Sequence, residues 1–505
     1  MAHVAMVDAQ ATDGNEQDVP YTNEDRITSE LVIGLVGPVG AGVSTTAASL
    51  QKALTQQFGY SVDVVKLSGL INSKAPLVNL SEVDADDIER VAKLQKIGSS
   101  LREKFGEAVL SEFAIQSIHA SRSEDASKLV RRHCTIVDSL KNPAEADRLR
   151  LVYGNLFWLV GVFAPEDVRV SRINKDNPNS SYLHLINDQD YDEGTDYGQS
   201  VKDTMTLADV FIRNDEQNTI RLDKEVISFL DRLFQVGVST PNSHESAMFA
   251  AANVAARSAC LSRQVGAVIQ SSDGEILGSG ANDVPRFGGG LYSSDLEASL
   301  DHRCYNWGGK VCHNDNEKDA IFNQILSIAE KSFADSSVAQ RAEFISKLKS
   351  TSRLKGLIEF SRSVHAEMAA IVSVARDGHG AVQGSTLYST TFPCHNCARH
   401  IVAAGIRTVF YIEPYPKSLA LKLHNDAIGT SENDAGKKVL FLQYQGVAPR
   451  SFARLFPQNP VRKAAGQALM KSRGDAKPLA AQSVESLVTR EELEVVHLLK
   501  EVENV

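Results

Sequence analysis

The 505-residue chain is sparing with the residues that staple or stiffen a fold: six cysteines, two tryptophans and fifteen prolines. Six cysteines over such a length do not make a disulfide framework, a device of small secreted domains, and they point to a reducing cytoplasm. No apolar run approaches the roughly 20 residues that a membrane-crossing helix needs, so no membrane partner is expected. Basic charge is not in excess either, since 53 Lys and Arg face 63 Asp and Glu for a formal net charge of −10. That balance argues against a general polyanion-binding surface. Arg131-Arg132-His133 and Pro449–Lys471 are the basic clusters of note, and solvated surface is their default assignment. Residues 1–28 are polar and acidic without a signal-peptide core, the composition of a disordered tail. The remaining length accommodates two or three domains with well-buried cores.

The chemistry is concentrated in four residues. His365 and Glu367 stand in Val-His-Ala-Glu, and Cys394 and Cys397 in Pro-Cys-His-Asn-Cys. This is the H-x-E…P-C-x-x-C pattern of zinc-dependent deaminases, with one His and two Cys as ligands and the Glu as proton carrier. Zinc accepts imidazole and thiolate tetrahedrally, and a catalytic site keeps its fourth position for water. Bound zinc lowers the pKa of water from about 15.7 to about 7. Glu367 would take a proton from that water and pass it to the ring nitrogen and then to departing ammonia. Ser363–Arg376 has helical composition, and Cys397–Ala404 opens a second helix after Pro393. Ligands at two helix N-termini feel positive dipole ends, which favours thiolate.

Each piece has a blander account. A Cys-x-x-Cys pair alone suits a redox motif or half of a structural zinc site, with Cys304 and Cys312 as the other half. A His near a Glu is, alone, more often a surface pair. The four residues together, with Pro393, an apolar helix after His365 and a strand at Thr386–Thr391 before the cysteines, make the catalytic-zinc account the better one.

Upstream, Ala255–Ile269 (AARSACLSRQVGAVI) is followed by Asp273-Gly274, Glu275–Gly280 and Asn282-x-x-Pro285. The order helix, strand, turn, strand, polar loop resembles the first half of the deoxycytidylate deaminase fold. That resemblance implies a sugar or base contact for Asn282, whose alternative is a turn residue ahead of proline. Arg257 and Arg263 are candidates for substrate phosphate, because a guanidinium fork suits phosphate oxygens; solvated surface is the alternative. An insertion, residues 285–362, separates this region from His365. Connections of that size are functional or independently structured. Its Gly288–Gly290 run suits either backbone approach to a phosphate or a mobile loop. His302, Cys304, Cys312 and His313 raise a second metal site, but their spacing fits no standard finger and free surface residues are preferred. Helices are expected near Glu317–Phe333 and Ala339–Leu348.

The N-terminal half reads differently. Leu31–Val36 (LVIGLV) predicts a buried parallel strand, leading into Gly37-Pro-Val-Gly40-Ala-Gly42-Val43-Ser44-Thr45 and a helix over Thr46–Gln56. Strand, glycine-rich turn and helix N-terminus are the layout of a phosphate-binding P-loop. The pattern asks for Lys where Val43 stands, so phosphate binding is retained as an expectation while efficient phosphoryl transfer is not. Ser44 and Asp138, the latter ending the strand Thr135–Asp138, are candidates for Mg2+ accompanying ATP, GTP or another nucleotide. Phe157–Phe163 and Ala208–Ile212 read as further buried strands. Alternation with helices near Val83–Phe105 and Ala144–Leu151 predicts a doubly wound parallel sheet resembling nucleoside and nucleotide kinases. Asn187–Tyr197 is acidic where a kinase lid is usually basic.

The expected organisation is a tail (1–28), a degenerate P-loop kinase-like domain (29–235), a deaminase domain (244–460) with a mixed five-stranded α/β/α sheet, and an extension (461–505). The deaminase sheet is completed by Thr408–Ile412 and Val439–Gln443, with Glu413–Ser418 shaping the pocket. Thr489–Glu492 is a capping box opening a helix whose Leu493, Val496, Leu499 and Val502 share a face expected to dock on the protein or a neighbour. A P-loop kinase-like domain ahead of such a deaminase, with FGGGLYSSD in the insertion and GVAPRSF from Gly446, resembles the bacterial anti-phage deoxycytidylate deaminases. The resemblance implies deamination of dCMP and dCTP to dUMP and dUTP, homo-oligomers and an inhibitory small RNA. The alternatives are a housekeeping dCMP deaminase under nucleotide control, a polynucleotide deaminase, which calls for a basic channel and stacking aromatics, and a non-catalytic nucleotide sensor.

Overall fold

The computed structural model describes residues 27–85, 89–124, 132–176, 190, 193–195, 197–215, 219–332, 337–351, 357, 359–378, 380–415, 418–457, 461–479 and 482–503. Most of the expected tail, Arg131 and much of Asn187–Tyr197 lie outside them. The protein is α/β, with two six-stranded sheets.

The first sheet runs in the order β12-β5-β4-β1-β3-β2. Its strands are β1 (Leu31–Val36), β2 (Ser61–Lys66), β3 (His133–Leu140), β4 (Phe157–Phe163), β5 (Val210–Arg213) and β12 (Gly446–Val447). β1 to β5 pair in parallel. β1 and β4 are buried along their whole length, which is why they are continuous apolar runs rather than alternating ones. Alternation still sorts the faces. Val32 and Val36 enter one core with the helices Arg90–Phe105, Val109–Glu124 and Pro143–Tyr153, whereas Leu31, Ile33 and Leu35 enter another with Val43–Phe58 and Ile220–Leu233.

The second sheet runs β10-β11-β9-β8-β6-β7. It is built from β6 (Gly266–Gln270), β7 (Ile276–Ala281), β8 (Thr386–Thr391), β9 (Thr408–Glu413), β10 (Ile428–Gly429) and β11 (Val439–Gln443). β6 pairs antiparallel with β7 and β8; the remaining pairs are parallel. The sheet exceeds the expected five strands by the two-residue edge strand β10, too short to signal itself. A second departure concerns the segment after Ala255. The helix there is Ser243–Ala255, started by an Asn242–Glu245 capping box, and residues 256–265 form a loop.

Within the range 244–460 expected for the deaminase domain, one short strand joins the first sheet rather than the second. Immediately after β11 the chain crosses over, and β12 pairs antiparallel with β5 of the first sheet. Tyr388 and Tyr444 of the second unit sit in the same core as Val32 and Leu159 of the first. Glu245, 1% exposed, fastens this junction. Its carboxylate accepts from Arg232 (2.8 Å), from the Val447 amide (3.2 Å) and from the Asn242 amide (2.9 Å).

Within the chain the C-terminal helix, Val484–Glu503, docks mainly by a face other than that of Leu493, Val496 and Leu499, although Val502 packs against the core. Leu493, Val496 and Leu499 are exposed, while Val484, Leu487, Glu491, Glu494 and Leu498 are buried. Polar anchoring decides this. Glu491 receives Arg122 at 2.8 and 3.0 Å, and Arg122 also reaches Glu30, so the helix must turn its carboxylates inward. Among the described residues no helix is long and apolar enough to cross a membrane.

Removing one partner of a buried ion pair costs about 3–5 kcal/mol. Glu245→Ala is therefore expected to lower unfolding free energy by about 3 kcal/mol in urea titrations, since Arg232 and two amides lose their acceptor. A loss below about 0.5 kcal/mol, the range of an ordinary surface substitution, would show that the junction does not depend on it.

Candidate active site

Two helix starts bring the metal-binding pattern together. His365 is the N-cap of Ala366–Asp377, and Cys394 is the N-cap of His395–Ala403. Both helices pack on one face of the second sheet, through Ala366, Ala370 and Val374 and through Cys397, Ala398 and Ile401. β8 delivers the chain to Pro393, and Cys397 follows one turn into its helix, where its amide donates to Cys394 Sγ at 3.4 Å.

The donor atoms converge. His365 Nδ1 lies 3.2 Å from Cys394 Sγ and 3.3 Å from Cys397 Sγ, and all three ligand atoms fall within 4.8 Å of one another. A tetrahedral zinc with Zn–N of about 2.0 Å and Zn–S of about 2.3 Å separates such atoms by about 3.5 Å, so this donor set fits zinc closely. Glu367 Oε2 is 3.4 Å from Cys397 Sγ, beside the triad.

Electrostatics separate the roles. Hydrogen bonding from Cys397, reinforced by His365, lowers the Cys394 thiol well below its ordinary range. Cys397 is pushed the other way, chiefly by Cys394 and then by burial. His365 is raised by its bond to Cys394. Glu367, 4% exposed, is raised by burial first and then by Cys394, which suits a carboxyl that must both take and give a proton. A bound cation would stabilise both thiolates and a neutral His365.

His365, Cys394 and Glu367 line a cavity of about 350 Å3, with Cys397 buried behind them. Asn282 lines it, but its side chain is also a clamp, with Oδ1 accepting from the Val265 amide (2.6 Å) and Nδ2 donating to the Arg263 carbonyl (2.8 Å). Arg263 lines it as well, bonded to Glu413 at 3.0 Å and lying 5.7 Å from the Tyr415 ring. Arg257 does not reach it. It borders a separate depression with Arg286, Gly289, Gly290 and Arg376, so its expected role as a substrate contact of the triad's cavity is not supported. The glycine run belongs there too, with Gly288, Gly289 and Gly290 at φ of 85°, 95° and 77°.

The insertion supplies residues that sequence reasoning missed: Lys318, Leu357 and Arg362 line the cavity beside Cys304, Cys312 and His313, which the sequence raised only as metal candidates. Lys318 starts the second turn of the helix His313–Ser332, and Arg362 stacks over Trp307 at 4.1 Å and donates to the His302 carbonyl at 3.1 Å. The insertion's length is the only signal that could have found these residues. Among the described residues, His302, Cys304, Cys312 and His313 are not gathered within metal-ligating distance as a group of three or more. The triad is the single such group among them, while His302 and His313 flank the Trp307 ring at 6.0 and 5.8 Å.

In the first sheet the glycine-rich loop follows β1, with Gly40 and Gly42 in the left-handed region at φ of 79° and 80°. Ser44 Oγ donates to Asp138 Oδ2 at 2.7 Å, joining two of the expected residues. Gly37 and Thr45 flank them, Thr45 exposed at the helix start. Val43 is different: its side chain is buried in the core with Leu50 and Val162, so only its main chain can serve a ligand.

Comparison with known proteins places a function-bearing region in the same part of the chain. Residues 241–413 match the family model of the cytidine and deoxycytidylate deaminase zinc-binding region. Over 55 residues the chain is 42% identical to the deoxycytidylate deaminase of Enterobacteria phage T2, a stretch covering 11% of this chain and 29% of that protein. The match thus spans less than a third of that relative. The dCMP deaminase from the cyanophage S-TIM5 in apo form aligns over 41% of this chain and 100% of its own, at 18% identity and TM-score 0.23. A shikimate kinase from Acinetobacter baumannii aligns over 41% and 93%, at 14% identity and TM-score 0.23. Neither structural likeness is close enough to carry an argument.

The ligand assignment separates metal binding from proton transfer. After dialysis against limiting zinc, elemental analysis should find about one zinc per chain in the native protein and in Glu367→Ala, and little in His365→Ala or Cys394→Ala, since removing one of three ligands dismantles the site. Zinc lost from Glu367→Ala would make that residue a ligand or a structural support instead.

Proposed function

We propose that the protein catalyses hydrolytic deamination of free deoxycytidine nucleotides, converting dCMP and dCTP to dUMP and dUTP. The observation that carries this reading is the meeting of His365, Cys394 and Cys397 with Glu367 beside them, at a cavity that His365, Glu367 and Cys394 line. His365, Cys394 and Cys397 would hold Zn2+, which supplies hydroxide at neutral pH when bound. Glu367 accepts the proton released as the C4–O bond forms, delivers one to the ring nitrogen, and assists ammonia as the C4–N bond breaks. Its burial keeps the carboxyl basic enough for both directions of transfer. The Asn282 clamp holds the loop that borders the base and sugar, and Tyr415 and Phe392 offer apolar surface for a pyrimidine.

Arg263, Lys318 and Arg362 give the same cavity a cationic side, suited to the 5′-phosphates of a free nucleotide. Lys318 is shared with Asp315 at 2.7 Å, and Arg263 with Glu413, so each is held in place while keeping donors free for phosphate. This favours nucleotides over nucleosides. A net charge of −10 and 7% aromatic content weigh against a polynucleotide substrate.

Resemblance to the anti-phage deoxycytidylate deaminases supports the further proposal that depletion of deoxycytidine nucleotides limits an infecting phage, in a cytoplasmic homo-oligomer held inactive by a small RNA. The P-loop unit (29–235) would bind ATP, GTP or another nucleotide with Mg2+ near Ser44 and Asp138. A housekeeping dCMP deaminase under nucleotide control is the second reading; it shares the site and differs mainly in its control, and a demand for triphosphate substrate would count against it.

The test is turnover. Zinc-loaded protein offered deoxycytidine, dCMP, dCTP and a single-stranded oligonucleotide should deaminate dCMP and dCTP, with Glu367→Ala inactive. Lys318→Ala and Arg362→Ala should each raise KM for dCMP about tenfold or more, the range of a lost charge-assisted hydrogen bond. Deamination of the oligonucleotide, or of deoxycytidine as efficiently as dCMP, would overturn the reading.

A further inference from the structure

The glycine-rich loop lacks its lysine, yet an ammonium stands at its entrance. β1 and β3 run parallel with Val36 opposite Leu140, so the next residue after β3, Lys141, comes level with Gly37. Its Nζ donates to the Gly37 carbonyl at 2.8 Å. The same Nζ meets Asp190 Oδ1 at 2.6 Å, and Asp190 Oδ2 accepts the Val39 amide of the loop at 2.7 Å. Asp190 is 1% exposed. Arg169 and Arg172 bond the carbonyls of Val39 and Gly40, adding cationic charge around the same loop.

An amide of a glycine-rich loop and a lysine ammonium are the two donors with which such loops hold phosphate. Here both are taken by one carboxylate of this chain. The crevice at the carboxyl ends of β1 and β3 is also where a doubly wound sheet binds its ligand. Ser44, at the start of the following helix, donates to Asp138 of β3 at 2.7 Å, where a magnesium ion accompanying phosphates would be held.

We propose that Lys141 replaces the missing P-loop lysine, and that the Asp190 carboxylate occupies the position of a phosphate, so that a nucleoside polyphosphate binds by displacing it. The inference rests on the phosphate-binding reading of the loop and is independent of the deaminase chemistry. No bond is made or broken; one anion exchanges for another on the same donors. A site whose open form is a minority binds more weakly by the fraction that is open, so the internal carboxylate sets the ligand concentration at which the loop is filled.

The experiment uses the full chain with zinc bound. Affinity for magnesium tripolyphosphate and for a non-hydrolysable magnesium–ATP analogue is measured by calorimetry for native protein, Asp190→Ala, the near-isosteric Asp190→Asn, and each of these variants combined with Lys141→Met. Circular dichroism and zinc content confirm that each variant is folded. Removing the carboxylate should tighten binding about tenfold or more, equivalent to about 1.4 kcal/mol, and adding Lys141→Met should abolish that gain. Equal affinity in native protein and Asp190→Asn would overturn the displacement while leaving the loop a phosphate site. A gain that survives Lys141→Met would overturn the role of Lys141. Absence of binding in every folded variant would overturn the inference together with the phosphate-binding reading of the loop.

Discussion

Three ligand atoms from two separate helices have to reach one point, and the second sheet is organised around that requirement. His365 and Cys394 are both N-caps, so each side chain projects from a helix start rather than from its flank. The starts meet because both helices pack into one core, in which Ala366, Ala370, Ala398 and Ile401 are buried. Small residues at the contacts let the helices sit low on the sheet. Gly278 and Gly280 of β7 serve the same end: a Cβ on Gly280 would run into the backbone of Ala366 and Ala370, and one on Gly278 would meet Ser373 and Val374. Glu367, the second residue of the helix that His365 caps, stands beside Cys397 at 3.4 Å.

The second unit is not free to move as an independent body. β12 completes the first sheet, and Glu245 ties that strand to Arg232 and to the start of the helix Ser243–Ala255. The same helix packs Ala247, Met248 and Ala251 into the core that holds β1 and β4. The first unit is therefore in packed contact with the sheet that carries the metal triad. The ionic arrangement of that unit is specific: Lys141 and Asp190 are paired at the glycine-rich loop, and Arg122 joins Glu30 to the C-terminal helix.

Much of this was legible in the sequence because the signals were local. β4 and β8 coincide with apolar or β-branched runs, and the metal pattern is defined by spacing within two short segments. Long-range features were not legible. Nothing near Gly446 indicates that two residues leave one sheet for another, because strand pairing depends on what lies opposite. The C-terminal helix presents two apolar faces to a sequence reader; a buried Glu491 facing Arg122 selects between them, and a carboxylate is not what periodicity looks for. Arg257 and Arg263 were equivalent as arginines, and only the loop held by Asn282 and Asp283 sends one to the cavity and the other away. Lys141 is one residue beyond a strand and unremarkable until parallel register sets it beside Gly37.

Zinc X-ray absorption on the full chain addresses the central claim most directly, because it reports the donor set without relying on any assumed substrate. The account expects two sulfurs at about 2.3 Å, one nitrogen near 2.0 Å and one further light ligand exchangeable with solvent. Four sulfurs, or a closed shell of protein donors without an exchangeable ligand, would make the metal structural and contradict a hydrolytic site built on His365, Cys394, Cys397 and Glu367.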